Sequence, residues 1–152
     1  MHCIFNFGLG LLALSAAGAT TAMTPEPLRI HLDVPHVIHA GGLVPIVIRL
    51  ENAGAHPLDL YLRGRTIAFD IFITRADGEP VWQRLKDEII PAIVQVKTLR
   101  PGEVLELRHE WNQRDNGGKS VRPGSYIVRG VVLTDGPTPL RTPSASLQIQ
   151  AR

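Results

Sequence analysis

The chain has 152 residues, 44% of them hydrophobic, so it is long enough for one domain with a core and too apolar to be disordered. Its formal net charge of +2 and the lack of a basic run give no basis for a nucleic-acid partner. Cys3 is the only cysteine, which excludes an internal disulfide and a thiolate zinc site.

The first 22 residues contain no Asp, Glu, Lys or Arg. An apolar run from Ile4 leads into small residues at 17–19 and 20–22, a pattern that predicts a secretory signal peptide. Residues 23–152 would then form a single exported domain, periplasmic or secreted. The alternative is an uncleaved membrane anchor, because the apolar stretch approaches the ~20 residues that span a bilayer. We expect no membrane contact unless this segment is retained.

From Leu28 onward, apolar and polar residues alternate in short segments separated by Gly, Pro, Asn and Asp, the pattern of β-strands. The segments are Leu28–Val34, Val44–Leu50, Leu58–Leu62, Ile67–Thr74, Val81–Trp82, Val94–Val96, Val104–Trp111, Tyr126–Leu133 and Leu147–Ile149. This spacing predicts a sandwich or barrel. We expect an all-β, immunoglobulin-like antiparallel β-sandwich of about eight strands. Residues 84–90 could form one helical turn, which Pro91 would end.

Several residues have predicted structural roles. Trp82 and Trp111 each end an alternating segment, where a large ring caps a core more readily than it binds a ligand. Tyr126 follows Pro-Gly at a strand start, as a tyrosine corner does. Three glycines of Asp-Gly and Pro-Gly dipeptides are predicted turn residues: Gly78, Gly102 and Gly124.

No pattern of catalytic or metal-binding residues is convincing. His31, His36 and His39 lie close in sequence, but strand geometry places neighbours on different faces, so we interpret them as exposed to solvent. There is no G-x-S-x-G motif, and the acidic pair at 87–88 adjoins Lys86 in a loop. The sequence therefore predicts neither an enzyme nor a cofactor.

The turn and strand-end residues between 44 and 134 follow a recognisable order. Asn52 ends a strand, D-G-x-x-V-W spans 77–82, P-G-E at 101–103 opens a strand ending at Trp111, and G-x-x-V-x-P-G-x-Y spans 118–126. This succession resembles the BsuPI-type intracellular proteinase inhibitor family. The loop after Trp82 departs from the family pattern, as does the export signal.

The resemblance implies a protein-binding module that inserts a loop into the cleft of a protease. The expected partner is a serine protease. An inhibitor of this kind presents a loop that is ordered before binding. Three segments are candidates: 63–66 with Arg63 and Arg65, 83–91 with Leu85, Ile89 and Ile90, and 136–143 with Leu140 and Arg141. The alternative is a non-inhibitory envelope interaction or structural module built on the same sandwich.

Overall fold

A computed structural model describes residues 26–152, which form eleven β-strands and no helix. The strands are β1 (Leu28–Asp33), β2 (Val37–His39), β3 (Val44–Asn52), β4 (Leu58–Arg63), β5 (Phe69–Arg75), β6 (Pro80–Gln83), β7 (Val94–Leu99), β8 (Val104–Trp111), β9 (Gly124–Val132), β10 (Leu140–Arg141) and β11 (Ala145–Gln150). The prediction of an all-β fold is confirmed. The predicted signal peptide at 1–22, and the division placed after it, lie outside the described residues.

The strands form two larger sheets and one separate pair. The first sheet has the order β1-β3-β8, and the second has the order β2-β11-β9-β5-β6 with β10 beside β9. Strands β4 and β7 pair only with each other. All paired strands are antiparallel except β2 and β11, which run parallel. That parallel pair departs from the predicted antiparallel sandwich, because a contact between the two ends of the domain leaves no signal in local periodicity.

The core is formed by the inward faces of the two larger sheets, which alternation along the strands makes apolar, together with side chains of the β4–β7 pair. At Gly130 on β9 the sheets approach so closely that a Cβ atom would lie 2.6 Å from Cδ1 of Ile48 on β3. Only glycine leaves room for that isoleucine. Buried core residues come from β3, β4, β5, β7, β8, β9 and β11: Val44, Ile46, Ile48, Leu50, Leu60, Leu62, Phe69, Ile71, Ile73, Leu99, Leu107, Trp111, Tyr126, Val128, Val132, Leu147 and Ile149.

The aromatic residues for which the sequence predicts structural roles are buried to different degrees. Trp111 is 1% exposed, its Nε1 donates to the carbonyl of Arg114 at 2.8 Å, and its ring lies 6.3 Å from that of Tyr126. The hydroxyl of Tyr126 donates to the carbonyl of Arg122, four residues upstream, at 2.5 Å. Trp82 is only half-buried. The three predicted turn glycines all have positive φ: Gly78 (92°), Gly102 (78°) and Gly124 (148°).

In the first part of strand β7, apolar side chains face solvent and polar side chains are partly buried. Val94 and Val96 are exposed, whereas Gln95 and Lys97 are partly buried. Gln95 faces inward because its side-chain amide donates to two backbone carbonyls of the segment after β4. The apolar alternation at 94–96 therefore marks a strand, but its apolar face is turned to solvent.

Candidate functional site

The segment between β6 and β7 is anchored at its start. Residues 84–87 form hydrogen-bonded turns, not a helix, and residues 88–91 have no regular structure. The backbone N–H of Leu85 donates to Oδ1 of Asp70 at 2.9 Å, and Nη1 of Arg84 donates to the carbonyl of Phe69 at 2.6 Å. Asp87 has φ of 63°. Residues other than glycine rarely adopt positive φ, but Asp does so more readily than most. The segment therefore has a defined conformation where it leaves the sheet.

The tip of this segment carries an exposed apolar side chain. Ile89 is 93% exposed, whereas its neighbour Ile90 and the more distant Leu85 are partly buried. Leu85, Ile90 and Pro91 line a small cleft of about 280 Å³ together with residues 64–68. Of the three apolar residues proposed from the sequence for this segment, only Ile89 projects freely.

The segment after β4, residues 63–66, is held along its backbone. Gly64 has φ of 101°, and an added Cβ would collide with the carbonyl oxygen of Thr66, so this turn requires glycine. The side chain of Gln95 donates to the carbonyls of Gly64 and Arg65. Arg65 is exposed, whereas Arg63 is half-buried with its Nε atom unpaired. Of these two arginines, only Arg65 is exposed.

Backbone hydrogen bonds join these two segments at one end of the domain. Gly64 donates to the carbonyl of Ile93 at 2.8 Å, which ties the turn after β4 to the end of the loop before β7. Arg63 donates to the carbonyl of Leu133 at 3.0 Å, so the chain leaving β9 reaches the same end. The structure thus brings the first candidate segment, the chain that follows the second and the chain that leads into the third together around the end of β4.

Two of the eight residues of the third candidate segment are part of the second sheet. Leu140 and Arg141 form β10 and pair with Val132 and Val131 of β9. The hydroxyl of Thr142 also accepts a hydrogen bond from Gly130 N–H at 2.9 Å. Arg141 is exposed, but its backbone already serves as a strand. Leu140 and Arg141 therefore lie in a short strand, and residues 136–139 form the bend that leads into it.

Two polar residues near the site have surroundings that the sequence does not predict. Asp70 alternates with apolar residues in β5, which suggested an exposed position, yet it is only 6% exposed. His109 on β8 stacks on Trp82 of β6 with ring centroids 5.3 Å apart and an interplanar angle of 17°. Burial, reinforced by the nearby charge of Arg84, lowers the pKa of His109. An acidic residue between large apolar residues was the available signal for Asp70.

The histidines considered as metal ligands are separated. His31 lies 3.5 Å from a carboxylate oxygen of Glu51, while His36 precedes β2 and His39 ends it, both exposed. Within residues 26–152 no group of three or more His, Cys, Asp or Glu is placed to hold a metal ion. In the same range, no helix has the length and hydrophobicity needed to cross a membrane.

The family model described as "BsuPI: Intracellular proteinase inhibitor" matches residues 35–136. The chain belongs to the BsuPI family. The match begins ahead of β2 and extends past β9, so it includes the strands that carry the segments at 63–66 and 83–91. No curated protein matches the chain.

The family description corrects one prediction. Residues 1–22 led us to expect an exported protein, periplasmic or secreted, but BsuPI proteins are described as intracellular, which contradicts that localisation. The prediction depended on composition alone, an apolar segment that ends in small residues, and this composition is not restricted to signal peptides.

Solved structures resemble the sandwich at low sequence identity. Spo0M, a sporulation control protein from Bacillus subtilis, has a TM-score of 0.51 at 11% identity, covering 84% of this chain and 51% of its own. The alkylpurine DNA glycosylase AlkC from Pseudomonas fluorescens has a TM-score of 0.47 at 23% identity, covering 82% and 31%. A CARDB domain from Pyrococcus furiosus has a TM-score of 0.42 at 12% identity, covering 81% and 87%. The chain thus spans about a third of AlkC and half of Spo0M, and the likeness to Spo0M concerns the fold alone.

Proposed function

We propose that this BsuPI protein inhibits a serine proteinase by inserting residues 84–91 into the active-site cleft, with Ile89 entering an apolar specificity pocket. The observation that carries this proposal is the exposure of Ile89, at 93%, on a loop whose start is bonded to Asp70 and whose end is bonded to Gly64. Exposing an apolar side chain to water is unfavourable, and burying it in a proteinase pocket would contribute to the free energy of binding.

The arrangement suits an inhibitor because the loop is ordered at both ends before binding. A flexible loop loses conformational entropy on docking, and a loop that is already fixed loses less. A fixed loop also holds its cleavage products together if the peptide bond is cut. Both effects favour tight binding and slow turnover, and the protein acts as a ligand of the enzyme, not as a catalyst.

Exposed apolar residues around this loop support protein binding. Eight large hydrophobic side chains within residues 26–152 are exposed, and five of them lie on β4 or between Ile89 and Val96. These five are Tyr61, Ile89, Ile93, Val94 and Val96. Concentrations of exposed apolar surface of this kind are typical of interaction sites.

The test is an inhibition assay against subtilisin, elastase, chymotrypsin and trypsin. Ile89→Asp should weaken inhibition by about 100-fold or more, the size expected for a central anchor residue. The matched control is Leu43→Asp, which changes an exposed apolar residue in a different turn, 55% exposed, and should leave the inhibition constant unchanged.

The same assay separates the three candidate segments. Inhibition of trypsin that is lost in Arg65→Ala or Arg141→Ala, but retained in Ile89→Asp, would assign the contact to another segment. Wild-type protein that inhibits none of the four enzymes at micromolar concentration would refute the proposal. The non-inhibitory interaction module would then be the better description.

A further inference from the structure

Asp70 is a buried carboxylate whose bonds are directed at the start of the proposed inhibitory loop. It is 6% exposed and accepts three hydrogen bonds. One comes from the N–H of Ile71 at 2.9 Å, within its own strand. The other two come from Nε2 of Gln83 at 2.6 Å and the N–H of Leu85 at 2.9 Å. Two of the three donors therefore belong to the residues from which the loop departs.

The position of Asp70 in the sheet explains this geometry. The β5–β6 pairing ends at Phe72 and Gln83, and one further backbone bond joins Arg84 N–H to the carbonyl of Ile71 at 3.0 Å. At Leu85 the loop turns away from β5, and the side chain of Asp70 accepts the N–H of that residue. The carboxylate thus sets the residue at which the chain leaves the sheet.

Arg84 holds the same departure point from its other side. Its guanidinium carbon lies 4.1 Å from the ring centroid of Phe69, and its Nη1 donates to the carbonyl of that residue. Burial is the main influence on the pKa of Arg84 and lowers it, while the charges of Asp70 and Glu88 act in the opposite direction. Residues 83–85 are therefore attached to residues 69–71 by side chains as well as backbone.

A carboxylate is a costly group to bury, and it is tolerated where hydrogen bonds satisfy it. An apolar residue at this position would avoid that cost, but it could not bind Leu85 N–H. We infer that Asp70 is a positioning residue, which holds residues 84–91 in the conformation that a proteinase binds. The contacts of Asp70 support its role in holding residues 84–91. The effect on proteinase binding rests on the proposed function.

The experiment compares Asp70→Asn, which keeps the size and removes the charge, with Gln83→Leu, which removes one donor and leaves the carboxylate in place. The control is Asn52→Ala. Asn52 is equally buried, and its side chain donates to carbonyls of His56 and Leu99, at the opposite end of the β4–β7 pair from the loop. Hydrogen–deuterium exchange reports the opening of residues 84–91 and of β9 separately. Subtilisin cleavage within 88–91 and the inhibition constant are measured on the same proteins.

We expect exchange and cleavage within residues 84–91 to accelerate about tenfold in Asp70→Asn, because the amide oxygen accepts Leu85 N–H without the strength of a charged acceptor and the Nδ2 group cannot accept from Gln83. Gln83→Leu should give a smaller change in the same direction. Asn52→Ala should lower the melting temperature without loosening residues 84–91. Unchanged exchange of residues 84–91 in Asp70→Asn, or equal loosening in Asn52→Ala, overturns the inference. If the loop loosens as expected but the wild-type protein inhibits no proteinase, the positioning role stands and the proposed function fails.

Discussion

The side-chain amide of Asn116 pairs with the backbone of Gln83 as a neighbouring strand would. Its Oδ1 accepts from Gln83 N–H at 2.9 Å, and its Nδ2 donates to Gln83 C=O at 2.9 Å. Within the described residues, β6 has β5 as its only strand partner, so its other side is an outer edge of the second sheet. The amide of Asn116 covers this edge at Gln83, the last residue of β6. Uncovered edges invite pairing with other chains.

Asn116→Asp should therefore destabilise the protein, because a carboxylate accepts from Gln83 N–H but cannot donate to its carbonyl. The expected loss is about 0.5–1.5 kcal/mol in the free energy of unfolding, the usual contribution of one hydrogen bond. Urea denaturation measures it. Asn112→Asp is the control, because Asn112 contacts only its own loop through an accepted bond from Arg114 N–H, which a carboxylate retains. Equal stability of the two variants would contradict this role for Asn116.

Gly130→Ala tests the close approach of the two sheets. The added methyl group would lie 2.6 Å from Cδ1 of Ile48 and 2.9 Å from Cγ2 of Thr142, so we expect a loss of about 1–3 kcal/mol, typical of an overpacked core. Gly136→Ala is the control, because its nearest neighbour would be 3.8 Å away. Ile48→Val removes Cδ1, the nearest of the colliding atoms, so the double variant should lose less than the sum of the two single variants. Additive losses would show that the collision is not the cause.

His109 should make stability depend on pH. Because burial lowers its pKa in the folded protein, the unfolded chain binds the proton more readily. The contribution of neutral His109 is complete above the unfolded pKa of about 6.5, and is lost as pH falls from there through the lower folded value. Wild-type protein should therefore lose more stability between pH 7.5 and 5 than His109→Gln does. Denaturation at several pH values measures this difference, and parallel curves for the two proteins would refute it.

Val96→Thr tests the reversed orientation of β7. Val96 is 59% exposed, so exchanging a methyl for a hydroxyl should change the free energy of unfolding by less than about 0.5 kcal/mol. Val128→Thr makes the same change on β9, where the side chain is fully buried, and should cost about 1–3 kcal/mol. Thermal denaturation of both variants gives the comparison. A similar loss in both would mean that Val96 is covered.

Much of the candidate site could be located from sequence, but the ranking within it could not. Residues 63–66 and 83–91 were recognisable because turn formers and Pro91 bound them. Their contact through Gly64 and Ile93 was not predictable, because those residues are far apart in the chain and no local pattern records their hydrogen bond. Asp70 was missed for a similar reason, since an alternating strand predicts an exposed acid until the partners Gln83 and Leu85 are placed around it.

The sequence by itself determined the all-β class, most strand positions and the turns, because a two-residue apolar period and turn dipeptides act over only a few residues. Only the tertiary structure decided which way β7 faces, that β2 and β11 run parallel, and that Ile89 projects while Leu85 and Ile90 line a cleft. These features depend on contacts between distant segments. Their free energy comes from packing and from satisfying buried polar groups, which a local pattern of residues does not specify.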